Sequence, residues 1–140
     1  MRLLIIMLLL PAIMGFNNLK NVKFGTPELN GTWIPTQQEF SGTSLPPTAF
    51  EKQKLIITDT LYTLIAESVD KGELKYADGK MDIYGKEGIN TGKHFAAIYK
   101  YENEQLTICY NLKGDSYPES FETKSKPLFF LSVFKKQATN

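Results

Sequence analysis

The sequence predicts an all-β domain, arranged as an eight-stranded antiparallel up-and-down barrel with a short helical turn between strands 1 and 2. Aromatic and β-branched residues, which favour strands, are spread along the chain, and no long block of helix-forming residues interrupts them. Short strand-like segments follow one another from residue 31 onward, joined mostly by turns of a few residues. Strands joined in this way pair antiparallel, and eight of them can close into a barrel without exposed edges.

The first 15 residues are typical of a signal peptide. Arg2 gives a charged start, residues 3–10 are apolar, Pro11 breaks the run, and Gly15 is a small residue at the expected cleavage point. The apolar run is shorter than the roughly 20 residues that span a bilayer. We expect a secreted or periplasmic protein with no membrane span after cleavage. The alternative is a buried N-terminal strand or an uncleaved anchor.

The remaining chain is expected to form one domain, with residues 16–28 as a loose lead-in, residues 29–136 as the barrel and residues 137–140 as a frayed tail. Removal of Arg2 leaves 15 basic residues, all of them lysines, against 15 acidic ones. Without arginine or a basic patch, a nucleic-acid partner is not expected. We expect a monomer.

The first strand covers residues 32–40 and contains Pro35, which cannot donate to a sheet and therefore predicts an edge or a bulge. Glycine and two prolines break the pattern over residues 41–47. Residues 48–53 then favour one or two helical turns, because they follow a proline pair and include Ala, Glu, Lys and Gln. Phe50 would anchor this segment on the barrel.

Seven further strands are predicted from the alternation of apolar and polar residues and from the turn residues that flank each segment. A turn is expected at residues 70–72, and Asp78-Gly79 predicts a tight type I′ hairpin, since both positions require positive φ. Asn103 suits a left-handed turn. The strands are predicted at residues 55–58, 61–66, 73–76, 81–84, 95–101, 105–110 and 128–134.

Five residues are expected to serve structure. Gly31 allows a turn or a close approach just before Trp33, the single tryptophan, which we expect to pack at one end of the barrel. Asp78 and Gly79 shape the hairpin. Cys109 is the single cysteine, so it forms no internal disulfide, and its apolar strand predicts burial.

A set of motifs occurs in a fixed order along the chain. These motifs are Asn30-Gly31-Thr32-Trp33, Leu55-Ile56-Ile57, Ile98-Tyr99, Leu106-Thr107-Ile108-Cys109-Tyr110, Pro118 before Phe121, and the final strand at residues 128–136. This ordered set resembles a bacterial family of small lipocalin-like domains. The resemblance covers residues 29–136, and it implies a lipocalin-like barrel and an exported location but no established activity. The interrupting Pro35 departs from the unbroken first strand of that family.

The sequence contains no convincing catalytic or metal-binding group. His94 is the single histidine and has no evident partner, so we expect a strand-edge histidine and neither a general base nor a metal ligand. A nucleophilic pairing of Cys109 with His94 is disfavoured because reactive cysteines need an electropositive, partly exposed setting. Asp78 is explained by its turn and Asp82 by a solvated strand face. We therefore expect no enzyme activity, no cofactor and no metal.

The tyrosines are the candidate ligand-binding residues, chiefly Tyr62, Tyr76, Tyr99 and Tyr110. They could line a cavity or fill the interior, because an eight-stranded barrel is just wide enough for either. The first alternative predicts a binding module that holds a small apolar molecule behind residues 46–53. The second predicts a structural or protein-interaction module, packed solid, that meets another macromolecule through the loop at residues 111–126.

Overall fold

The computed structural model describes residues 28–139. The predicted signal peptide, residues 1–15, and all but the last residue of the predicted lead-in, residues 16–28, lie outside the described residues, as does Asn140. Among the described residues, no helix has the length and apolar character needed to cross a membrane.

The described chain is an antiparallel barrel of eight strands with one extra two-residue strand, which confirms the predicted fold class. Neighbouring strands pair in chain order, except that the extra strand β2 pairs only with β1. The barrel closes because β1 also pairs with β9. The strands are β1 Gly31–Phe40, β2 Thr43–Ser44, β3 Lys54–Thr58, β4 Leu61–Ile65, β5 Val69–Ala77, β6 Lys80–Glu87, β7 His94–Glu102, β8 Gln105–Asn111 and β9 Phe129–Lys136.

The predicted helical turn between the first two long strands is confirmed as a single 3₁₀ turn at Pro47–Ala49. Phe50, which follows it, is only 6% exposed and anchors the segment as expected. The predicted bulge is also present, since the pairing of β1 with β9 shifts register between Pro35 and Gln37. A bulge tolerates a residue without an N–H at a point where a regular ladder would need a donor.

The tight turns follow their sequence signals closely. Asp78 and Gly79 have φ angles of 51° and 78°, which fits the predicted type I′ hairpin between β5 and β6. Asn103 has a φ of 51°, and Glu104 after it also has a positive φ, of 63°. The β7–β8 hairpin is therefore built on a left-handed turn.

The turn expected at residues 70–72 is wrong. These residues lie inside β5, and the chain turns earlier, where the Ala66 N–H donates to the Ser68 carbonyl at 2.9 Å. Gly72 serves a packing role there. It pairs with Tyr62 across the sheet, and a Cβ at Gly72 would lie 2.7 Å from the Tyr62 ring. The turn-favouring residue types at positions 70–72 are therefore explained by contacts within the barrel, and the chain does not reverse direction there.

Trp33 is fully buried and packs at one end of the barrel interior, as predicted. Its indole Nε1–H donates to the Leu29 carbonyl at 2.8 Å, and its ring meets that of Tyr101 edge-on at 5.7 Å. The Lys136 ammonium lies 5.7 Å from the indole centroid. Gly31, with a φ of 141°, lies against the same lysine side chain. The indole is therefore held by its ring faces, its edge and its N–H.

The core continues from Trp33 along the barrel axis. Inward-facing residues alternate with outward-facing ones on each strand, as the pleat requires. The buried apolar cluster consists of Leu29, Trp33, Leu55, Ile57, Tyr62, Leu74, Met81, Ile83, Ala97, Tyr99, Leu106, Ile108 and Phe134.

Replacing Gly79 by Val tests the hairpin. A β-branched residue resists positive φ, so we expect Gly79→Val to lower the free energy of unfolding by more than about 1 kcal/mol. Urea unfolding measures it. Glu73→Val, at an exposed position in extended β5, is the control and should change stability by less than about 0.5 kcal/mol. Equal effects of the two changes would contradict the assigned turn.

Replacing Trp33 by Ala tests the tryptophan as a core residue. Removing a buried indole leaves a large cavity, so we expect Trp33→Ala to cost about 3–5 kcal/mol of unfolding free energy. Trp33→Phe keeps a ring but loses the N–H that bonds Leu29, and its cost should be smaller, about 1–2 kcal/mol. An unchanged melting temperature in Trp33→Ala would show that the indole does not support the fold.

Candidate functional site

The barrel interior contains a cavity of about 230 Å³, at the end away from Trp33. It is lined by inward-facing side chains of the long strands together with residues from three connecting segments. Most of these side chains are apolar, and the few polar groups are uncharged. The lining residues are Gln38, Gln53, Leu55, Ile57, Tyr62, Leu64, Leu74, Met81, Ile83, Asn90, Phe95, Ile108, Tyr110, Leu112, Phe130, Ser132 and Phe134.

The structure brings two of the four candidate tyrosines to this cavity. Tyr62 and Tyr110 line it. Tyr76 and Tyr99 do not; their rings pack edge to face at 5.7 Å, and the Tyr99 backbone N–H bonds Gly79 at the β5–β6 turn. The interior is therefore filled by aromatic rings at one end and hollow at the other.

Tyr62 and Tyr110 face the cavity because side chains alternate between the two faces of a strand. A glycine on the neighbouring strand also leaves room for Tyr62. Tyr62 faces inward from β4, and Gly72 opposite it leaves room for the ring. Burial, followed by the nearby Asp70 carboxylate, raises the pKa of Tyr62. Burial, followed by the neighbouring Tyr62, raises the pKa of Tyr110. Both phenols are therefore neutral at pH 7, and each can donate and accept a hydrogen bond.

A small amide network ties the segment at residues 46–53 to the cavity wall. The buried Gln38 amide donates from Nε2 to Gln53 Oε1 at 2.8 Å and to Ser132 Oγ at 3.2 Å. Gln53 Nε2 in turn donates to the Ala49 carbonyl at 3.2 Å. This network holds Gln53, which lines the cavity, against the wall of the barrel.

One carboxylate lies beside the cavity without lining it. Asp70 faces inward from β5 and is only 3% exposed, yet it is not among the lining residues. It accepts a hydrogen bond from the Asn90 backbone N–H at 3.2 Å, and its charge adds to the effect of burial in raising the pKa of Tyr62. Asp70 is therefore next to two residues of the cavity wall.

A second polar cluster lies on the outer wall of the barrel. His94 Nε2 is 2.7 Å from Asp82 Oδ1, and the Tyr117 hydroxyl donates to Asp82 Oδ2 at 2.6 Å. Tyr84 stacks on the His94 ring at 4.9 Å. His94 had no evident partner in the sequence, because its contact with Asp82 depends on strand register.

Asp82 is the acceptor at the centre of this cluster. Partial burial raises its pKa, but the hydrogen bonds from Tyr117 and His94, with the charge of Lys75, outweigh that effect and hold the pKa below its usual value. The same contact raises the pKa of Tyr117. The cluster is therefore assembled while the Asp82 carboxyl is ionised and the phenol is neutral.

Residues 113–128, here named the strap, run along the outside of the barrel and are held at two anchors. Tyr117 holds one part to β6 through Asp82. Thr123 holds the other, since its hydroxyl donates to Glu39 and accepts from the Gly42 N–H at 2.9 Å. The Lys100 ammonium lies 4.8 Å over the Phe121 ring between them. The predicted interaction loop thus packs on its own barrel over part of its length.

Cys109 faces outward from β8 yet is fully buried, so its cover comes from outside the wall. Burial, followed by the nearby Glu39 carboxylate, raises the pKa of the thiol to about 11. Reactive cysteines show the opposite shift. Within residues 28–139, no three His, Cys, Asp or Glu side chains are grouped to hold a metal ion.

Comparison of the chain with known proteins finds no matching family model, no matching curated protein and no matching solved structure.

Replacing Asp82 by Asn tests the outer anchor of the strap. Because folding lowers the Asp82 pKa, ionised Asp82 stabilises the fold above its unfolded pKa of about 4, and this contribution is lost as the pH falls through the lower folded value. We expect wild type to exceed Asp82→Asn by a few tenths to about 1 kcal/mol at pH 7, after allowance for solvent screening. The difference should shrink as the pH falls below about 4.

Urea unfolding across pH 3–8 measures this difference. Asp78→Asn is the matched control, since asparagine suits the same left-handed turn, and it should show no comparable pH-dependent loss. A difference for Asp82→Asn that is the same at pH 3 and pH 7 would contradict the assigned role of the carboxylate.

Proposed function

We propose that this protein is an exported, lipocalin-like binding module that holds a small, predominantly apolar molecule inside its barrel. The observation that carries the proposal is the interior cavity of about 230 Å³, lined mainly by aliphatic and aromatic side chains. Sites for small molecules are concave, mostly apolar and furnished with a few placed polar groups. The barrel interior has each of these features.

The volume of the cavity supports a compact ligand. An apolar cavity of about 150 Å³ is enough to admit benzene. Sites for drug-sized ligands occupy about 300–1,000 Å³. A cavity of about 230 Å³ lies between these sizes. It therefore suits a ligand of about one or two fused rings and not a long acyl chain.

The polar groups of the wall support an oriented ligand. Tyr62 and Tyr110 both line the cavity and lie near one another. Each phenol can donate a hydrogen bond to one polar group on the ligand or accept one from it. Gln38, whose amide bonds Gln53 and Ser132, offers a carbonyl on the same wall. Burial of the remaining ligand surface supplies affinity at about 25 cal/mol per Å² of apolar area.

Blocking the cavity tests the proposal. We expect the uncharged, environment-sensitive naphthalene dye prodan to bind one to one, with saturable fluorescence. Leu64 lines the cavity from β4, so Leu64→Trp should fill the space and weaken dye binding at least tenfold. Leu61 lies on the same strand and is 56% exposed. Leu61→Trp is therefore the matched control and should leave the affinity unchanged.

Native mass spectrometry of freshly purified protein adds a second readout, in which a co-purified small molecule supports the proposal. Prodan binding that is weak, non-saturating or equal in the two tryptophan variants would contradict it. That result would favour the alternative, a packed module that meets another macromolecule through exposed parts of the strap.

A further inference from the structure

We infer that the cavity selects an uncharged ligand and rejects anions, and that the buried carboxylate of Asp70 contributes to this selection. The inference rests on the proposed function and specifies the chemical class of its ligand. Its two observations are the uncharged wall of the cavity and the position of buried Asp70 next to two residues of that wall, Tyr62 and Asn90.

The wall of the cavity offers no ionic partner. Among the described residues, none with a carboxylate, ammonium or imidazole side chain lines it. Its polar groups are amides and hydroxyls, contributed by Gln38, Gln53, Tyr62, Asn90, Tyr110 and Ser132. An ionised group moved from water into such a site loses its hydration without gaining a countercharge, and this costs several kcal/mol. A neutral polar group can be satisfied there by a single hydrogen bond.

Asp70 makes the penalty larger for an anion. Its side chain is 3% exposed, and its carboxylate is close enough to Tyr62 to raise the pKa of that phenol. It also accepts the backbone N–H of Asn90, and both Tyr62 and Asn90 line the cavity. An anion in the cavity would therefore have a like charge next to two of the residues that line it, in a setting where water screens poorly.

A cation in the cavity gains less attraction from Asp70 than the opposite signs of the two charges suggest. Asp70 does not itself line the cavity, so an ammonium held there would not form a direct ion pair with the carboxylate. The cation would keep its desolvation cost and receive only part of the attraction. A neutral ligand that bonds Tyr62 or Tyr110 avoids both costs.

The experiment compares three naphthalene probes of similar size at pH 7: neutral 1-naphthol, the anion 1-naphthoate and the cation 1-naphthylmethylammonium. Isothermal titration calorimetry gives each Kd for the purified protein. We expect 1-naphthol to bind at least tenfold more tightly than either charged probe. Lowering the pH to 4 protonates part of the naphthoate, so its apparent affinity should rise toward that of 1-naphthol.

Asp70→Asn isolates the contribution of the carboxylate while conserving side-chain size. We expect this variant to bind 1-naphthoate at least threefold more tightly than wild type does and to leave 1-naphthol binding unchanged. The pH series on the wild-type protein gives an independent test of charge selection if the variant fails to fold.

The outcomes separate this inference from the proposed function. Binding of 1-naphthoate or of the ammonium probe as tight as that of 1-naphthol would overturn the inference while the cavity remained a binding site. Unchanged 1-naphthoate affinity in a folded Asp70→Asn variant would show that Asp70 does not contribute to the selection against anions. Absence of binding by all three probes, together with absence of prodan binding, would overturn the proposed function and the inference with it.

Discussion

Closure of the barrel by β1 is the constraint on which the rest of the structure depends. The strand begins beside β3 and pairs with β9 along most of its length, so it joins the two edges of the sheet. The bulge between Pro35 and Gln37 lets it do so despite the proline. An eight-stranded barrel closed in this way has a fixed, narrow interior. The sizes of the inward-facing side chains then decide where that interior is filled.

The two ends of the barrel use that interior differently. At one end Trp33 and the edge-to-face pair of Tyr76 and Tyr99 fill the space with rings. Toward the other end the inward positions include Gly72 and Ser132, which contribute little volume, and the cavity lies there. A filled and a hollow interior are thus both present in one molecule, which is why neither alternative from the sequence describes the whole barrel.

The outer wall shows how a long connection is held without a disulfide. The strap is fixed by an ionised carboxylate, Asp82, at one anchor and by Thr123, between Glu39 and Gly42, at the other. It packs on the side of the wall on which Cys109 is buried with its thiol protonated. The long loop therefore serves the stability of the barrel in addition to any role in binding a partner.

Local patterns in the sequence were enough to determine the fold class and several of its details. Alternation identified the eight long strands, Asp78-Gly79 the tight hairpin and Pro35 the bulge, because each depends on the φ angles and hydrogen bonds of a few adjacent residues. Burial of Trp33 and Cys109 followed from residue type and apolar surroundings. Local patterns did not predict the short β2 or the continuation of β5 through residues 70–72, since both depend on pairing with other strands.

The site was decided by tertiary structure. Alternation predicts that a tyrosine faces inward, but its depth along the barrel depends on strand register, and this separates Tyr62 and Tyr110 at the cavity from Tyr76 and Tyr99 at the packed end. The meeting of His94, Asp82 and Tyr117 and the contact of Asp70 with Asn90 likewise join residues distant in the chain. Local sequence determines the conformation and facing of each strand, whereas closure and register determine which side chains meet.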